Sequence, residues 1–276
     1  MGGDFGSKSN NVAVGYQAGY LTTTGGNNTF LGFESAKNIT TGGNNVVIGY
    51  QAMDTNTDGN DNVVIGYQAL KSATSDDRNI AIGYRALYAL NQTFSPSNVA
   101  IGYAADDGTT QGFFRTCIGR DTGRNSGEGS NITNIGYSAQ ESSNTATNEV
   151  TLGNSSVATL RCAVTSITSL SDERDKSEIK DISYGLDFID SLQPREFVWD
   201  NRAETDREGE EFYSANKGKK DFGFIAQEVQ SVDDDTLRLV YDENPDKLEM
   251  SYGKLVPVLV QAIKELKAEV ELLKNK

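Results

Sequence analysis

The sequence predicts a β-solenoid of 17-residue repeats followed by an α+β domain that ends in a coiled-coil helix. Two observations predict the solenoid: glycines recur at a nearly constant step, and apolar residues keep fixed distances before each of them. A third predicts the second domain, because near residue 170 the composition changes from Gly- and Asn-rich to charged. The predicted organisation is a repeat region at 1–156, a connecting segment at 157–170 and a C-terminal domain at 171–276.

Nine glycines, each preceded by an aliphatic residue, define the repeat. They are 17 residues apart except for one step of 19, which predicts a two-residue loop insertion around TFSPSN, 93–98. A β-branched residue stands three positions before every glycine, an aromatic residue follows seven of the nine, and asparagine opens most copies. The glycines are Gly15, Gly32, Gly49, Gly66, Gly83, Gly102, Gly119, Gly136 and Gly153.

A single repeat is too short to enclose a core. At about 3.3 Å per residue it accommodates two short strands and two turns. Stacking nine such rungs would bury a continuous stripe of Val and Ile, as in a solenoid. The rung is so narrow that the aromatic column stays half covered. We therefore expect chains to associate, most simply as a homotrimer.

Composition excludes several functions. The formal net charge is −14, with 9 Lys and Arg against 13 Asp and Glu in 1–170, and 16 against 26 in 171–276. So acidic a chain is a poor partner for a phosphate backbone, and we expect no nucleic-acid binding. The chain has no histidine, which removes His-based catalytic triads and the commonest metal ligand. We expect no metal and no cofactor.

Two further features concern the cysteines and the membrane. Cys117 and Cys162 have no metal-site or disulfide-framework spacing, and we expect both to be buried as thiols. No apolar run reaches the ~18 residues of a membrane span, so no membrane insertion is expected.

Beyond residue 170 the spacing becomes helical. Apolar residues from Ile179 to Leu192 predict an amphipathic helix that Pro194 ends. REFVWD, 195–200, predicts a strand, and the charged run 200–221 predicts a solvated loop. Near the C-terminus, apolar residues alternate steps of four and three, the heptad rhythm of a coiled coil. We expect them to form a trimer seam, made by Leu259, Ile263, Leu266, Val270 and Leu273.

Four stretches carry a family resemblance. LSDERDKSEI, LQPREFVWD, DFGFIAQEVQ and YGKLVPVLVQAIKEL resemble, in order and spacing, the intramolecular chaperone domain of phage endosialidases, tail fibres and tailspikes, also called the peptidase S74 domain. The resemblance spans about 168–276. Upstream, NNVVIGYQA and its copies resemble the head repeats of trimeric autotransporter adhesins and similar repeats in phage tail fibres, which are trimeric parallel β-rolls.

The resemblance implies a function. The family domain is an α/β trimer that helps the preceding β-structure to fold in register and then cuts itself off by a Ser-Lys mechanism. For this chain it implies a virion tail fibre or tailspike, with the chaperone domain released after assembly in the host cytoplasm. It also implies that Gln227 and Glu228, in GFIAQEV, contribute to the domain's fold or its contact with the shaft. A solvent-facing helix turn explains that pair equally well.

The family pattern Ser-Asp-x-Arg-x-Lys maps onto Ser171, Asp172, Arg174 and Lys176. A serine hydroxyl needs a base to become a nucleophile. Without histidine the nearby candidate is Lys176, and a lysine serves as a base only where burial or a cation lowers its pKa. Arg174 fits two roles equally, that cation or a donor to the oxyanion. To Asp172 we assign positioning alone.

The resemblance places the cut between Ser171 and Asp172. Attack by Ser171 on its own carbonyl would need a four-membered ring, so this cut implies water or another chain's hydroxyl as the attacking group. Attack on the Leu170 carbonyl passes through a five-membered ring, which makes Leu170–Ser171 the alternative. A turn or cap role for Ser171, without catalysis, also stays open. The resemblance thus implies a self-cleaving, single-turnover serine endopeptidase with Ser171 and Lys176 as its dyad.

Two other functions fit the repeats. A surface adhesin would bind host glycans through them and use the C-terminal domain only for trimerisation. A glycan-degrading tailspike would place paired carboxylates in a groove. The acidic residues of 1–160 do not recur at a fixed repeat position. We therefore expect no turnover activity in the repeats, whose Asn and Tyr columns we interpret as structural.

Overall fold

The structure is a computed structural model that describes residues 10–92, 97–124, 128–161, 170–205, 211–233, 236–242 and 244–276. The chain divides into two compact units. One comprises Met1–Val157 with Arg202–Ala215, and the other Ala158–Asn201 with Asn216–Lys276. Cys162 lies outside the described residues, as do 162–169 of the connecting segment and 93–96 of the predicted loop insertion.

The first unit contains a parallel β-solenoid, which confirms the predicted fold class. Its nine strands form one sheet in sequence order, and strand partners along the regular rungs are 17 residues apart, as in Val46 with Val63. The strands are β1 (Val12–Val14), β2 (Thr29–Leu31), β3 (Val46–Ile48), β4 (Val63–Ile65), β5 (Ile80–Ile82), β6 (Val99–Ile101), β7 (Thr116–Ile118), β8 (Ile132–Ile135) and β9 (Glu149–Leu152).

The prediction of two strands per repeat is wrong, since each repeat contributes one short strand in the described part of the chain. After the glycine the backbone turns instead of extending, because alternate residues such as Gln51 (φ 50) and Met53 (φ 53) are left-handed. Hydrogen bonding between rungs continues through these turns. The N–H of Gln51 donates to the carbonyl of Phe33, and that of Met53 to the carbonyl of Ala69, each at 2.9 Å.

The predicted inward stripe of Val and Ile is also wrong. The middle residue of each strand from β2 to β7, such as Val47 or Val64, is fully buried, whereas Val46 and Ile48 on either side are only half-buried. Side chains alternate along a strand, so an inward residue two before the glycine turns its neighbours outward. The outward positions include the aliphatic column. The solenoid therefore carries an aliphatic outer face.

The glycine that follows each strand allows neighbouring rungs to approach closely. Gly49 has φ +140, and a Cβ there would lie 2.2 Å from the carbonyl oxygen of Gly66. A side chain would therefore meet backbone of the next rung. This accounts for glycine at every repeat.

The asparagine column builds a buried corner. The Nδ2 of Asn45 donates to the carbonyl of Gly59 at 2.8 Å, and its Oδ1 accepts the N–H of Asn62 at 3.0 Å. Successive asparagines repeat this arrangement, each satisfying backbone groups of the following rung. The column is thus structural.

The aromatic column forms a continuous stack on the surface. Rings of Tyr50 and Tyr67 have centroids 5.2 Å apart and planes 6° apart, and both side chains are about 40% exposed. Arg120 replaces the aromatic residue in one rung, with its guanidinium carbon 5.5 Å from the Tyr103 ring and 5.9 Å from that of Tyr137. The stacked residues are Tyr16, Phe33, Tyr50, Tyr67, Tyr84 and Tyr103.

The remaining elements are short, except for the last helix. The predicted REFVWD strand is present as β10 (Arg195–Val198), and it pairs antiparallel with β13 (Lys220–Gly223). The run predicted as a loop contains the pair β11 (Glu204–Thr205) and β12 (Glu211–Phe212). The others are α1 (Leu186–Ser191), α2 (Ala226–Gln230), β14 (Val240–Tyr241), β15 (Glu249–Met250) and α3 (Leu255–Lys274).

The predicted helix from Ile179 begins only at Leu186. A carboxylate oxygen of Glu265, on α3, accepts the N–H of Leu186 at 2.6 Å, and a Cβ on Gly185 would collide with that carboxylate. A contact with α3 thus sets the residue at which α1 begins. Ile179 is exposed and lies outside the helix.

Helix α3 has one packed face and one open face. Leu255, Val258 and Ala262 are buried, and Leu255 belongs to a small core with Leu192, Val229 and Leu239. The predicted seam residues lie on α3 and are between 39% and 69% exposed: Leu259, Ile263, Leu266, Val270 and Leu273. Within the described ranges, no helix is both long and apolar enough to cross a bilayer.

Candidate functional site

A short turn follows Ser171 and brings the chain back toward it. Glu173–Asp175 form one turn of 3-10 helix, and Asp172 caps it by accepting the N–H of Arg174 at 2.9 Å. Aspartate is a favoured capping residue because its carboxylate satisfies an N–H that has no partner within the turn. The turn brings the side chain of Lys176 next to Ser171.

The ammonium of Lys176 contacts Ser171 twice. Its Nζ lies 2.6 Å from the Ser171 Oγ and 3.1 Å from the Ser171 carbonyl oxygen. The first distance suits proton transfer between hydroxyl and amine once the amine is neutral. The second lets the same group withdraw electron density from the carbonyl of the Ser171–Asp172 bond.

Arg174 is held on Asp172. Its Nε lies 3.0 Å from Oδ1 and its Nη2 2.6 Å from Oδ2, a bidentate pair. The hydrogen bonds from Arg174 lower the pKa of the Asp172 carboxyl, and those to Asp172 raise the pKa of Arg174. Asp172 thus stabilises the turn and binds Arg174 rather than Lys176. The two roles predicted for Arg174, cation or oxyanion donor, stay predictions.

Within a single chain the site is open to water. All of 170–181 are exposed, and the Leu170 side chain is 99% exposed. The single chain therefore brings Ser171 and Lys176 together without supplying the burial that a lysine base requires.

Residues 171–238 match the family of the chaperone of endosialidase, peptidase S74. The match begins at Ser171 and confirms the resemblance drawn from the sequence motifs in this region. No curated protein and no solved structure matches the chain.

Glu228, within the matched region, links two elements. Its carboxylate accepts two hydrogen bonds from Arg195, at 2.9 and 3.0 Å, and so joins α2 to β10. These bonds lower the pKa of Glu228 and raise that of Arg195. Sequence reasoning missed this pair, although Arg195 and Glu228 each stand in one of the four family motifs. Contact of Gln227 or Glu228 with the shaft stays a prediction.

The structure also contains charged contacts that the repeat pattern did not indicate. Arg115, Asp106 and Glu141 meet inside the solenoid, and Glu265 binds the start of α1. In the described part of the chain, no group of three or more His, Cys, Asp or Glu is placed to hold a metal ion. Cys117 is a buried free thiol whose pKa is raised by burial.

Proposed function

We propose that the chain is a segment of a homotrimeric phage tail fibre or tailspike. Its C-terminal domain would direct trimerisation and folding of the solenoid, and would then be released by Ser-Lys self-cleavage in the host cytoplasm. The observation that carries the proposal is the 2.6 Å contact between Lys176 Nζ and Ser171 Oγ, at the start of the family match.

The apolar surface supports self-association. The outer columns and the open face of α3 expose large aliphatic residues, including Leu152, Ile263 and Leu273. Contiguous exposed apolar surface of this kind marks an interaction site. A second and third copy of the chain supply matching columns, because cyclic association brings the same patch of each copy to the axis.

Nearly identical rungs make alignment necessary. Sliding one chain by one repeat restores almost all contacts between copies, so misaligned trimers lie close in energy to the correct one. A domain that trimerises first places equivalent residues of the three chains side by side and raises the effective concentration of the adjoining repeats. The solenoids then assemble from one defined end.

The contacts of Lys176 favour Ser171–Asp172 as the cleaved bond. Water or a hydroxyl of another copy attacks the Ser171 carbonyl carbon, and Lys176 stabilises the developing charge on the oxygen that it contacts. The C–N bond breaks, and the proton of the attacking group passes to the Asp172 amine. Attack by water leaves the Ser171 carboxylate directly, whereas attack by a hydroxyl leaves an ester that water then hydrolyses. Packing of other copies around the exposed site would supply the burial that the single chain lacks, so cleavage would follow assembly.

The test is the size of the folded protein's chains. Wild type incubated after folding should give two fragments on a denaturing gel, with masses that identify the bond. Ser171→Ala and Lys176→Ala should give one full-length chain. Lys180→Ala is the matched control, because Lys180 is an exposed lysine on the same segment and should leave cleavage intact. Wild type that stays whole as a folded trimer, or Ser171→Ala that cleaves normally, would contradict self-cleavage.

A second candidate is a glycan-binding adhesin with a purely trimerising C-terminal domain. The exposed aromatic column favours it, since aromatic side chains bind sugars. However, the rings stack on one another, so solvent meets their edges rather than the faces on which a sugar would lie. Binding of the intact protein to a glycan array, combined with the absence of cleavage, would favour this candidate.

A further inference from the structure

The interior of the solenoid changes character at its seventh rung. Through the first six rungs the buried hydrophobic residues form one cluster that ends at Ala105. The next rung places Arg115 inside, fully buried and the largest such side chain in the described ranges. A charge in this position needs compensation from neighbouring rungs.

Arg115 occupies the asparagine column. Its N–H donates to Asn98 Oδ1 at 2.9 Å, as an asparagine in this column would. Its Nη1 donates to the carbonyl of Gly129 at 3.1 Å, 14 residues ahead, where Asn98 donates to Gly112 over the same spacing. Arg115 therefore makes the same two contacts as an asparagine of this column, and its Nε and Nη2 groups still need acceptors.

Those donors bind two carboxylates from the adjacent rungs. Asp106 accepts from Nε and Nη2 at 2.8 to 3.1 Å, and Glu141 accepts from Nη2 at 3.0 Å. Burial disfavours the charged guanidinium, but the charges of Asp106 and Glu141 outweigh it and raise the pKa of Arg115. Thr109 donates to Asp106, and Asn134 donates to Glu141. We call Arg115, Asp106 and Glu141 the buried triad.

The surrounding column is shaped for the triad. The position four after each glycine holds Met53, Leu70 and Leu87 in earlier rungs, all buried. In the sixth rung it holds Asp106, and in the seventh Gly123. A Cβ on Gly123 would lie 2.5 Å from Cys117 Sγ and 2.8 Å from Asp106 Oδ1. Glycine at this position makes room for the ion pair.

Three contacts of the strand and asparagine columns do not distinguish the correct rung from its predecessor. If the sixth rung looped out and the seventh stacked on the fifth, Cys117 would pair with Ala81 instead of Ala100. Ile118 would pair with Ile82 instead of Ile101, and Asn79 would replace Asn98 as acceptor for Arg115. These replacements are identical in residue type. At the triad, however, Arg115 would meet Leu87 in place of Asp106.

We propose that the buried triad is a register marker, which rejects a skipped rung while the solenoid folds. A skipped rung leaves Arg115 with Glu141 but removes Asp106, the carboxylate that accepts from its Nε. Such an intermediate buries an unpaired donor and is therefore short-lived. The contacts of Cys117 and Ile118 and the asparagine acceptor are the same in both registers and cannot supply this discrimination. The inference does not depend on self-cleavage.

Cysteine pairs distinguish the two registers. Val99 and Thr116 are neighbours in β6 and β7, so Val99→Cys with Thr116→Cys reports the correct register. Ile80 and Thr116 are two strands apart, about 9.6 Å and beyond the reach of a disulfide. Ile80→Cys with Thr116→Cys therefore reports a skipped rung. Both pairs are placed in a full-length chain with Cys117→Ala and Cys162→Ser, and crosslinks within one chain are measured by peptide mass during oxidative refolding.

The triad is then replaced by the residues of the earlier rungs. Arg115→Asn restores the asparagine column, Asp106→Leu copies Leu87, which has the same backbone φ of 52, and Glu141→Gln removes the last charge. We expect the skipped-rung crosslink to rise at least fivefold over the background with the triad intact. Val64→Ala, a packing defect that spares the triad, should leave the two crosslinks in their original proportion.

Two outcomes would overturn the proposal. An unchanged proportion of the skipped-rung crosslink in the triple variant would mean that the degenerate columns suffice for register. Loss of both crosslinks would mean that the triad serves stability rather than register.

Discussion

The solenoid and the C-terminal unit differ in how completely a single chain pairs their backbone groups and buries their apolar residues. The solenoid stacks its rungs through hydrogen bonds between repeats, and its interior columns are fully buried. The C-terminal unit has a small core around Leu239 and a long helix with one face open. A repetitive sequence thus builds a regular structure with little information on alignment, whereas the irregular domain leaves a row of apolar residues exposed on α3.

The largest expected effect is loss of assembly when the C-terminal domain is removed. A chain ending at residue 170 keeps the rungs but has nothing to set three ends level. We expect the yield of heat-resistant trimeric rods to fall at least tenfold, measured by gel filtration with light scattering. A truncated chain that assembled at the wild-type yield would remove the aligning role.

A sharper version alters only the seam. Leu259→Ser with Leu266→Ser changes exposed residues of α3 and spares Leu255 and Val258, which pack within the chain. We expect helical content to persist by circular dichroism while trimers dissociate. Glu269→Ser, an exposed polar position on the same helix, is the control and should stay trimeric.

Within the solenoid, the buried charge should dominate single-residue effects. Arg115→Met leaves Asp106 and Glu141 buried without their cation, at a cost of about 3–5 kcal/mol in the free energy of unfolding. Arg78→Met, at an exposed arginine of the same solenoid, should cost under ~1 kcal/mol. Denaturant unfolding of both variants measures the contrast, and equal losses would contradict the account of the triad.

The glycine column should be the next most sensitive feature. Gly66 has φ +142, and an added Cβ would lie 2.2 Å from the carbonyl of Gly83. Gly66→Ala should therefore lower the free energy of unfolding by about 3 kcal/mol, combining backbone strain with displacement of a rung. Gly218→Ala shares a positive φ but has no atom within 4 Å, and should cost about 1 kcal/mol. A smaller loss at Gly66 than at Gly218 would refute the close-approach argument.

The smallest predicted effect concerns pH. Burial raises the pKa of Asp76 to about 6. The folded state therefore keeps this proton where the unfolded state has lost it. Its contribution to stability is full below pH ~4 and is lost as pH rises to ~6, by on the order of 2 kcal/mol.

Asp76→Asn isolates this contribution, since it removes the charge while retaining an oxygen for the N–H of Gln92. The difference in free energy of unfolding between variant and wild type should grow in favour of the variant from pH 4 to pH 6. Other titrating groups cancel in that difference. A flat difference would show that the Asp76 carboxyl does not titrate differently in the folded state.

The sequence predicted the solenoid and its period because repeats are local and additive. It did not predict which columns face inward. In a strand of three residues, either the middle residue or the two outer residues can face the interior, and the alternation is the same in both cases. The turn around Gln51 and Met53 chooses between them, and nothing in the Val and Ile pattern indicates left-handed backbone there. The Ile179 helix failed for a related reason, because Glu265 on a distant helix sets its first turn.

Among the charged contacts, too, those between neighbouring residues could be predicted from the sequence and those between distant residues could not. Ser171, Asp172, Arg174 and Lys176 were found from one motif because they lie within six residues, and the Asp172 cap brings Lys176 to Ser171. Arg195 with Glu228 is separated by 33 residues, and Arg115 with Glu141 by 26. No local spacing connects the members of such pairs.

By itself the sequence determined the number of rungs, the glycine at each close approach and the motif that holds Ser171 beside Lys176. These depend on contacts repeated at a constant step or confined to one turn. Only the tertiary structure decided which face of each rung is buried, which carboxylates compensate Arg115 and where α1 begins. Those choices depend on side chains that meet only after rungs and helices have packed, when burial makes an unpaired charge or N–H costly.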